Sequence, residues 1–158
     1  MLNPAERKHI DLLQRMPIFG ALRDDTLDFL VGLARPLAVP AGSWFFREGD
    51  AADALFVLES GCASVLKGWE GRPVLLNRLH AGDCFGEMAL MDLQPRSASV
   101  RADEDCQALR LSTDDLYHLY AHDLEQFTLI QMNMGREVCR RLRAVDESLF
   151  RLQQAAAG

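Results

Sequence analysis

The sequence predicts a mainly β protein, an antiparallel β-sandwich or jelly roll with N-terminal helices and a long C-terminal helix. Three observations support this fold class. Short runs of branched and aromatic residues fill the middle of the chain, and turns with glycine separate them about every eight to twelve residues. Apolar residues at helical spacing precede these runs, and a stretch of helical character without internal proline follows them.

Length and composition fit one globular domain, which we expect to span residues 1–158. Hydrophobic residues make up 49% of the chain and charged residues 25%, and the net charge of −6 disfavours general nucleic-acid binding. The sequence has no apolar run of about eighteen residues and no signal peptide, so we expect a cytoplasmic protein without a membrane span. Arginine far outnumbers lysine, which is typical of GC-rich bacterial genomes.

Residues 1–34 are predicted to form two helices. Pro17 and Gly20 separate them, and Asp24 or Asp25 is a plausible cap for the second helix. The apolar residues at helical spacing in the first helix are Ile10, Leu13 and Met16.

Residues 35–112 are predicted to be strands and turns. Strands interrupted this often do not suit a parallel α/β sheet, so we expect antiparallel pairing. The predicted strands are the segments PLAV, SWFFRE, ALFVLES, CASVLKGW, RPVLLNRLH, SASVRA and CQALRLS.

Residues 113–158 are predicted to be helical. A Ser/Thr cap followed by acidic residues opens this region, and a longer helix runs from about Leu124 to Gln154. Its apolar residues follow a heptad pattern that predicts self-association as a homodimer, although the helix could instead fold back on its own domain. The residues of this seam are Val138, Leu142, Val145, Leu149 and Leu152.

The stretch FGEMALMDLQPRSASVRA predicts an anion site. Gly86 permits a tight turn, after which GEMALMD can form a helical turn whose free N–H groups attract negative charge. The planar fork of Arg96 can meet two phosphate oxygens, the Ser97 hydroxyl can donate, and Glu87 can accept from a sugar hydroxyl. A ribose joined to a compact phosphate satisfies these groups, and a simple Glu87–Arg96 salt bridge is the alternative.

This stretch resembles the phosphate-binding cassette of the cyclic nucleotide-binding domain family. Residues 82–102 fit the pattern G-x-x-F-G-E-x-A-L followed by P-R-S-A-x-V-x-A. Upstream, PAGSWFFREGDAADALFVLESGCASV resembles the turns and strands that precede the cassette in this family. The resemblance is to the sensor domain of the bacterial catabolite activator protein family, without its DNA-binding domain. It implies a jelly-roll fold for most of the chain.

The resemblance implies a role for each cassette residue. Arg96 would pair with the cyclic phosphate, and Glu87 would accept from the ribose 2′-hydroxyl. Ser97 and the backbone N–H groups around Ala89 and Leu90 would complete the phosphate cradle. The ligand-binding residues that we expect are Phe85, Gly86, Glu87, Met88, Ala89, Leu90, Arg96, Ser97 and Ala98.

The resemblance also implies a regulatory function. Val145 and Asp146 stand where the family's long helix contacts the base, and we favour cAMP over cGMP because cAMP prevails in the family. We expect a stand-alone sensor that signals through this helix or through dimer geometry to an unidentified protein partner. The chain ends four residues after Gln154, so no helix-turn-helix element fits, and we expect no direct DNA binding.

Three alternatives compete with this interpretation. A metal enzyme of the cupin type would need clustered histidines, which His118 and His122 alone do not supply, so we expect no catalytic residue and no metal. A haem or iron–sulfur sensor would need cysteines near the N-terminus, but the first is Cys62. Finally, a degenerate cyclic nucleotide-binding fold could serve protein association without any ligand. We expect no cofactor, because the cyclic nucleotide would be a reversibly bound ligand.

Overall fold

The computed structural model describes residues 3–158 and confirms the predicted fold class, because two antiparallel four-stranded sheets are flanked by helices. The α-helices are α1 (Pro4–Gln14), α2 (Asp24–Leu33), α3 (Met88–Asp92), α4 (Thr113–His122) and α5 (Leu124–Ala157), and Pro17–Phe19 forms a 3₁₀ turn. The strands are β1 (Arg35–Val39), β2 (Trp44–Phe46), β3 (Ala54–Ser60), β4 (Ala63–Trp69), β5 (Arg72–Leu79), β6 (Cys84–Phe85), β7 (Ser99–Ala102) and β8 (Cys106–Ser112).

The strand order differs from the chain order in both sheets. One sheet has the order β1-β8-β3-β6 and the other β2-β7-β4-β5, and every neighbouring pair is antiparallel. The sequence did not predict β6, whose two residues are too few to show a periodic pattern. This strand pairs Phe85 with Phe56 and Cys84 with Val57, and it fixes the start of the cassette to the first sheet.

Strand β3 contributes to both cores of the molecule, because both of its faces are buried. Phe56 and Leu58 pack between the two sheets, whereas Leu55 and Val57 pack under the helices. Removal of this apolar surface from water is the main favourable term for folding. The helical and β parts therefore share one central strand, and the cassette is attached beside it.

The N-termini of α1, α4 and α5 have side-chain caps, and that of α2 has none. Asn3 and Glu6 form a capping box at α1, and Ser112 and Asp115 form another at α4. Helix α2 begins after Arg23, whose side chain does not cap it, so the expected cap at Asp24 or Asp25 is wrong. Both aspartates lie in the first turn, where their charges still interact favourably with the helix dipole.

Helix α5 has 34 residues and consists of an anchored half and an exposed half. In the first half, Asn133 Nδ2 donates to the carbonyl oxygens of Ile18 and Gly20, at 3.1 and 2.9 Å. From residue 142 onward every residue is exposed. The helix thus folds back on its own domain only through its first half. Among the helices of residues 3–158, none combines the length and the hydrophobicity that crossing a bilayer requires.

Candidate nucleotide-binding site

The cassette turns sharply at Gly86 because of two independent constraints. Its φ of 81° lies in the left-handed region, which side-chain-bearing residues rarely adopt. A Cβ atom at this position would also lie only 2.7 Å from Nη1 of Arg96. The glycine therefore lets the backbone approach the guanidinium, and helix α3 starts two residues later.

Arg96 is held rigidly beneath this turn. Its Nη1 donates to the Gly86 carbonyl oxygen at 2.7 Å, and its Nη2 donates to the Ala54 carbonyl oxygen at 2.6 Å. The guanidinium carbon lies 4.0 Å from the centre of the Phe46 ring, which is a cation–π distance. Burial lowers the pKa of this guanidinium, but an arginine remains charged at physiological pH. Two bonds and one ring thus fix the orientation of a buried positive charge.

Glu87 is the most deeply buried charged residue of the cassette, with 1% of its surface exposed. It makes an ion pair with Arg141 of α5, and no ion pair joins it to Arg96 within residues 3–158. The simple Glu87–Arg96 salt bridge is therefore not what closes this loop. The contact places Arg141 Nη1 against Glu87 Oε1 without the alignment of a hydrogen bond.

Helix α5 supplies a charged wall opposite the cassette. Glu137 accepts from Arg140 Nε at 3.1 Å, and its Oε1 lies 3.4 Å from Arg141 Nε. The hydrogen bonds from Arg140 are the largest cause of a lowered pKa at the Glu137 carboxyl. Sequence reasoning missed Glu137, Arg140 and Arg141 as site residues, because nothing local relates them to a cassette about fifty positions earlier.

A cavity of about 470 Å³ lies between these two walls. Glu87 and Arg96 both line it, as expected of two groups that would hold one ligand. The rest of the lining comes from residues 16–18, strands β2, β4, β5 and β7, residues 82–84 and the charged residues of α5. The expected ligand-binding residues that line it are Phe85, Gly86, Glu87, Met88, Arg96, Ser97 and Ala98.

Of the other expected site residues, Leu90, Val145 and Asp146 are not part of this lining. Leu90 packs against the helical core, and its N–H donates to the Glu87 carbonyl oxygen at 3.1 Å, because α3 closes as a helical turn. Ala89 lies in α3, but its side chain is outside the described part of the structure, so its expected contact with the ligand stays a prediction. Val145 and Asp146 are exposed on α5, beyond the turn that faces the cavity. A base contact by these two residues stays a prediction about a complex or a neighbouring subunit.

One cysteine, Cys84, is among the described residues that line the cavity. Burial, helped by the nearby Glu87 charge, raises the pKa of its thiol well above the ordinary value. The thiol therefore stays protonated and weakly nucleophilic near neutral pH. Within residues 3–158, no three histidine, cysteine or acidic side chains come together in a way that could hold a metal ion.

Two buried side-chain atoms in the described part of the chain have no hydrogen-bond partner, and both belong to this site. They are Oε1 of Glu87 and Nε of Arg96. Buried polar atoms are rarely left unpaired, since each costs about 1–3 kcal/mol. The Nε–H of Arg96 thus remains available to a molecule that would fill the cavity, whereas Oε1 of Glu87 already lies against Arg141.

The fold and the site define a jelly-roll domain with a cassette that can accept an anionic ligand. Residues 36–123 match the family model of the cyclic nucleotide-binding domain, and the chain belongs to this family. It is 33% identical over 113 residues, 72% of the chain, to a cAMP-dependent protein kinase regulatory subunit of Emericella nidulans. It is 32% identical over 136 residues, 84% of the chain, to a cyclic AMP receptor protein of Thermus thermophilus.

A solved structure shows the same relationship. The chain superposes on the catabolite activator protein of Thermus thermophilus with a TM-score of 0.76 and 31% identity, over 87% of this chain and 63% of that one. The chain matches only 27% of the length of the kinase regulatory subunit and 60% of the length of the cyclic AMP receptor protein. The likeness therefore concerns the cyclic nucleotide-binding part of these regulatory proteins.

Proposed function

We propose that this protein is a sensor module that binds a cyclic nucleotide, cAMP in preference to cGMP, in the cavity between the cassette and α5. The observation that carries this proposal is that Glu87 and Arg96 line one cavity, in which the buried Nε of Arg96 has no hydrogen-bond partner. The two groups differ in charge and in hydrogen-bond sense, as the ribose hydroxyl and the phosphate of one ligand require. The names of the relatives, a cAMP-dependent kinase subunit and a cyclic AMP receptor protein, support the preference for cAMP.

The hydrogen-bond inventory of Arg96 defines how it would hold the phosphate. A guanidinium has five N–H donors, and two of them are directed at the Gly86 and Ala54 carbonyl oxygens. The Nε–H and a remaining Nη hydrogen can then meet two phosphate oxygens side by side. The Ser97 hydroxyl, on an exposed residue that lines the cavity, is available for a further bond.

The fixed relative position of Glu87 and Arg96 favours a ligand whose phosphate is closed into a ring. Glu87 and Arg96 are both fixed by the turn at Gly86, so the sugar and the phosphate must reach them in one set geometry. A cyclic phosphodiester holds its phosphate rigidly against the ribose, whereas the phosphate of a linear nucleotide must be immobilised on binding, at an entropic cost. The cavity of about 470 Å³ lies within the usual range for small-molecule sites, about 300–1,000 Å³.

Calorimetric titration with cAMP, cGMP and AMP in parallel tests the proposal. We expect both cyclic nucleotides to bind, cAMP more tightly, and AMP to bind at least about tenfold more weakly than cAMP. Absence of binding by either cyclic nucleotide would refute the proposed function. Equal affinity for AMP would refute the ring-closed geometry.

The same titration with Arg96→Ala measures the contribution of the guanidinium. We expect affinity to fall about a hundredfold or more, because a charged donor to the phosphate is lost. The variant also leaves the Gly86 and Ala54 carbonyl oxygens without their donor, so its thermal melt must show that it is folded at the titration temperature. Arg47→Ala, at an exposed arginine outside the cavity, is the control and should bind like the wild type. Unchanged affinity in a folded Arg96→Ala variant would contradict the assignment.

We further propose that signalling passes through α5 in a homodimer. Its exposed half carries the apolar seam, in which Leu142, Val145, Leu149 and Leu152 each expose more than half of their surface. A ligand shifts such a helix only if it binds two arrangements with different affinity. Sedimentation and limited proteolysis with and without saturating cAMP test this step, and identical behaviour in both conditions would refute it.

A further inference from the structure

We propose that Glu48 and Lys67 are positioning residues for the nucleotide site, which hold the main chain of the cassette at residues 96–97 without touching the ligand. This inference rests on the proposed function, because it concerns the same site. Neither side chain is among the described residues that line the cavity, whereas Ser97 is one of them. Glu48 lies in the turn after β2 and Lys67 lies in β4, so the two residues connect separate parts of the second sheet.

The turn at residues 47–50 holds the main chain of Arg96 from both sides. The Gly49 N–H donates to the Arg96 carbonyl oxygen at 2.9 Å, and the Arg96 N–H donates to the Asp50 carbonyl oxygen at 2.8 Å. Asp50 also closes the turn, because its carboxylate accepts from the Arg47 N–H at 2.8 Å. The position of Arg96 therefore depends on what holds this turn.

The Glu48 side chain attaches the turn to β4. Its Oε2 accepts from the Gly68 N–H at 3.0 Å, and its Oε1 accepts from Lys67 Nζ at 3.2 Å. The bond from Gly68 is the largest cause of a lowered pKa at the Glu48 carboxyl, and the bond from Lys67 is the next. The carboxylate thus stays ionised near neutral pH and keeps both acceptor oxygens.

Lys67 makes the direct connection to the cassette. Its Nζ donates to the Ser97 carbonyl oxygen at 2.6 Å as well as to Glu48. An ammonium group has three donors, so it can make both bonds at once, and bonds from a charged donor are stronger than neutral ones. Because Ser97 lines the cavity, a shift of its main chain would also move the hydroxyl that would meet the phosphate.

Two other roles of this charged pair predict different results. If Lys67 only attracted the phosphate through its charge, removal of the nearby Glu48 charge would strengthen binding. If the pair only stabilised the fold, the affinity of the folded protein would not change. The two side chains are 49% and 39% exposed, and the loss of such an exposed ion pair should leave the protein folded.

Calorimetric titration of Lys67→Met and Glu48→Ala with cAMP distinguishes these roles. Positioning residues should both weaken binding, by about threefold to tenfold, although the two changes alter the local charge in opposite directions. Lys8→Met is the matched control, because it removes the same charge from an exposed residue of α1 and should bind like the wild type. Stronger binding by Glu48→Ala, or unchanged affinity in either variant, would overturn the inference.

A double-mutant cycle with Ser97→Ala tests whether Lys67 acts through Ser97. In the Ser97→Ala background no hydroxyl remains to be positioned, so the loss of affinity caused by Lys67→Met should become smaller. A loss that persists undiminished would show that Lys67 acts on the ligand by another route, and would overturn its role as a positioning residue.

Amide hydrogen exchange without nucleotide separates failure of this inference from failure of the proposed function. Loss of either side chain should speed exchange at Gly49 and Arg96 at least about threefold more than in β8, whose buried amides report global opening. An equal change in both places, or no change, overturns the inference whatever the nucleotide result. If exchange is selectively faster and the wild type binds no cyclic nucleotide, the connection between β4 and the cassette stands and the proposed function fails.

Discussion

At the scale of single residues, Gly86 and Arg96 depend on each other. The turn at φ 81° brings the Gly86 carbonyl oxygen to Arg96 Nη1, and the missing Cβ makes room for that nitrogen. The arginine is thus oriented by a backbone position that only glycine fills without strain. This dependence was predictable in part, since the glycine and the arginine are both readable in the cassette sequence, but the contact between them is a property of the folded turn.

Gly86→Ala should therefore impair both stability and binding. The left-handed backbone costs a residue with a Cβ about 1–2 kcal/mol, and the 2.7 Å approach also forces the guanidinium to shift. We expect a lower denaturation midpoint in urea and at least about tenfold weaker cAMP binding. Gly42→Ala is the matched control, because Gly42 has a φ of 83° with no atom within 4 Å of the added carbon. It should lose comparable stability and keep its affinity, and weakened binding by this control would argue against the local clash.

Sequence reasoning at this scale finds the groups that act through local spacing and misses those that act through the tertiary fold. Glu87, Arg96 and Ser97 lie in one short segment whose pattern can be read, and the structure places all three on one cavity. Arg141 and Glu137 lie on a helix whose periodicity shows only that it is amphipathic. Which of its turns faces the cassette depends on how the helix docks.

At the scale of secondary structure elements, α5 is positioned by polar anchors as well as by apolar packing. Ile130 and Met134 are fully buried in the helical core. Asn133, with 8% exposure, ties the helix to the 3₁₀ turn through the carbonyl oxygens of Ile18 and Gly20. The docking angle of α5 places Arg141 at the cavity, so this anchor also affects the site.

Asn133→Leu should destabilise the protein although it preserves side-chain volume. The carbonyl oxygens of Ile18 and Gly20 would lose their donor, at a cost of about 2 kcal/mol in the free energy of unfolding. Urea denaturation measures this loss, and we also expect faster proteolysis near the 3₁₀ turn. Thr128→Ala, at an exposed position of the same helix, should change stability by less than about 0.5 kcal/mol. Equal stability of Asn133→Leu and the wild type would show that packing alone positions α5.

Most elements of the fold could be predicted because proline, glycine and apolar periodicity mark them. The seven predicted strand segments each overlap a strand, and α5 ends at Ala157, three residues beyond the expected Gln154. Strand β6 was not predicted, because two residues are too few to show an alternating pattern of apolar side chains. Its pairing with β3 is set by the tertiary fold. The start of α2 was predicted wrongly, because the backbone N–H of Arg23 donates to Gln126 of α5, more than a hundred positions away in the sequence.

At the scale of the whole molecule, the exposed half of α5 is a long element that no other described part of the chain covers. Residues 142–157 extend about 24 Å at 1.5 Å per residue, and all of them are exposed. An isolated helix of this length is marginally stable in water, which favours a partner helix. The heptad spacing of Leu142, Val145, Leu149 and Leu152 suits a second copy of the same helix.

Two adjacent residues of α5 provide a test of the homodimer and the control for that test. Leu149 lies in the heptad seam and Phe150 lies outside it, yet the two are exposed to a similar extent, 52% and 56%. In a dimer formed through the seam, Leu149→Glu buries like charges against each other and should convert the protein to a monomer, whereas Phe150→Glu should leave the dimer intact. Sedimentation equilibrium at a fixed protein concentration measures both. A monomeric wild type, or dissociation by Phe150→Glu but not by Leu149→Glu, would contradict the seam.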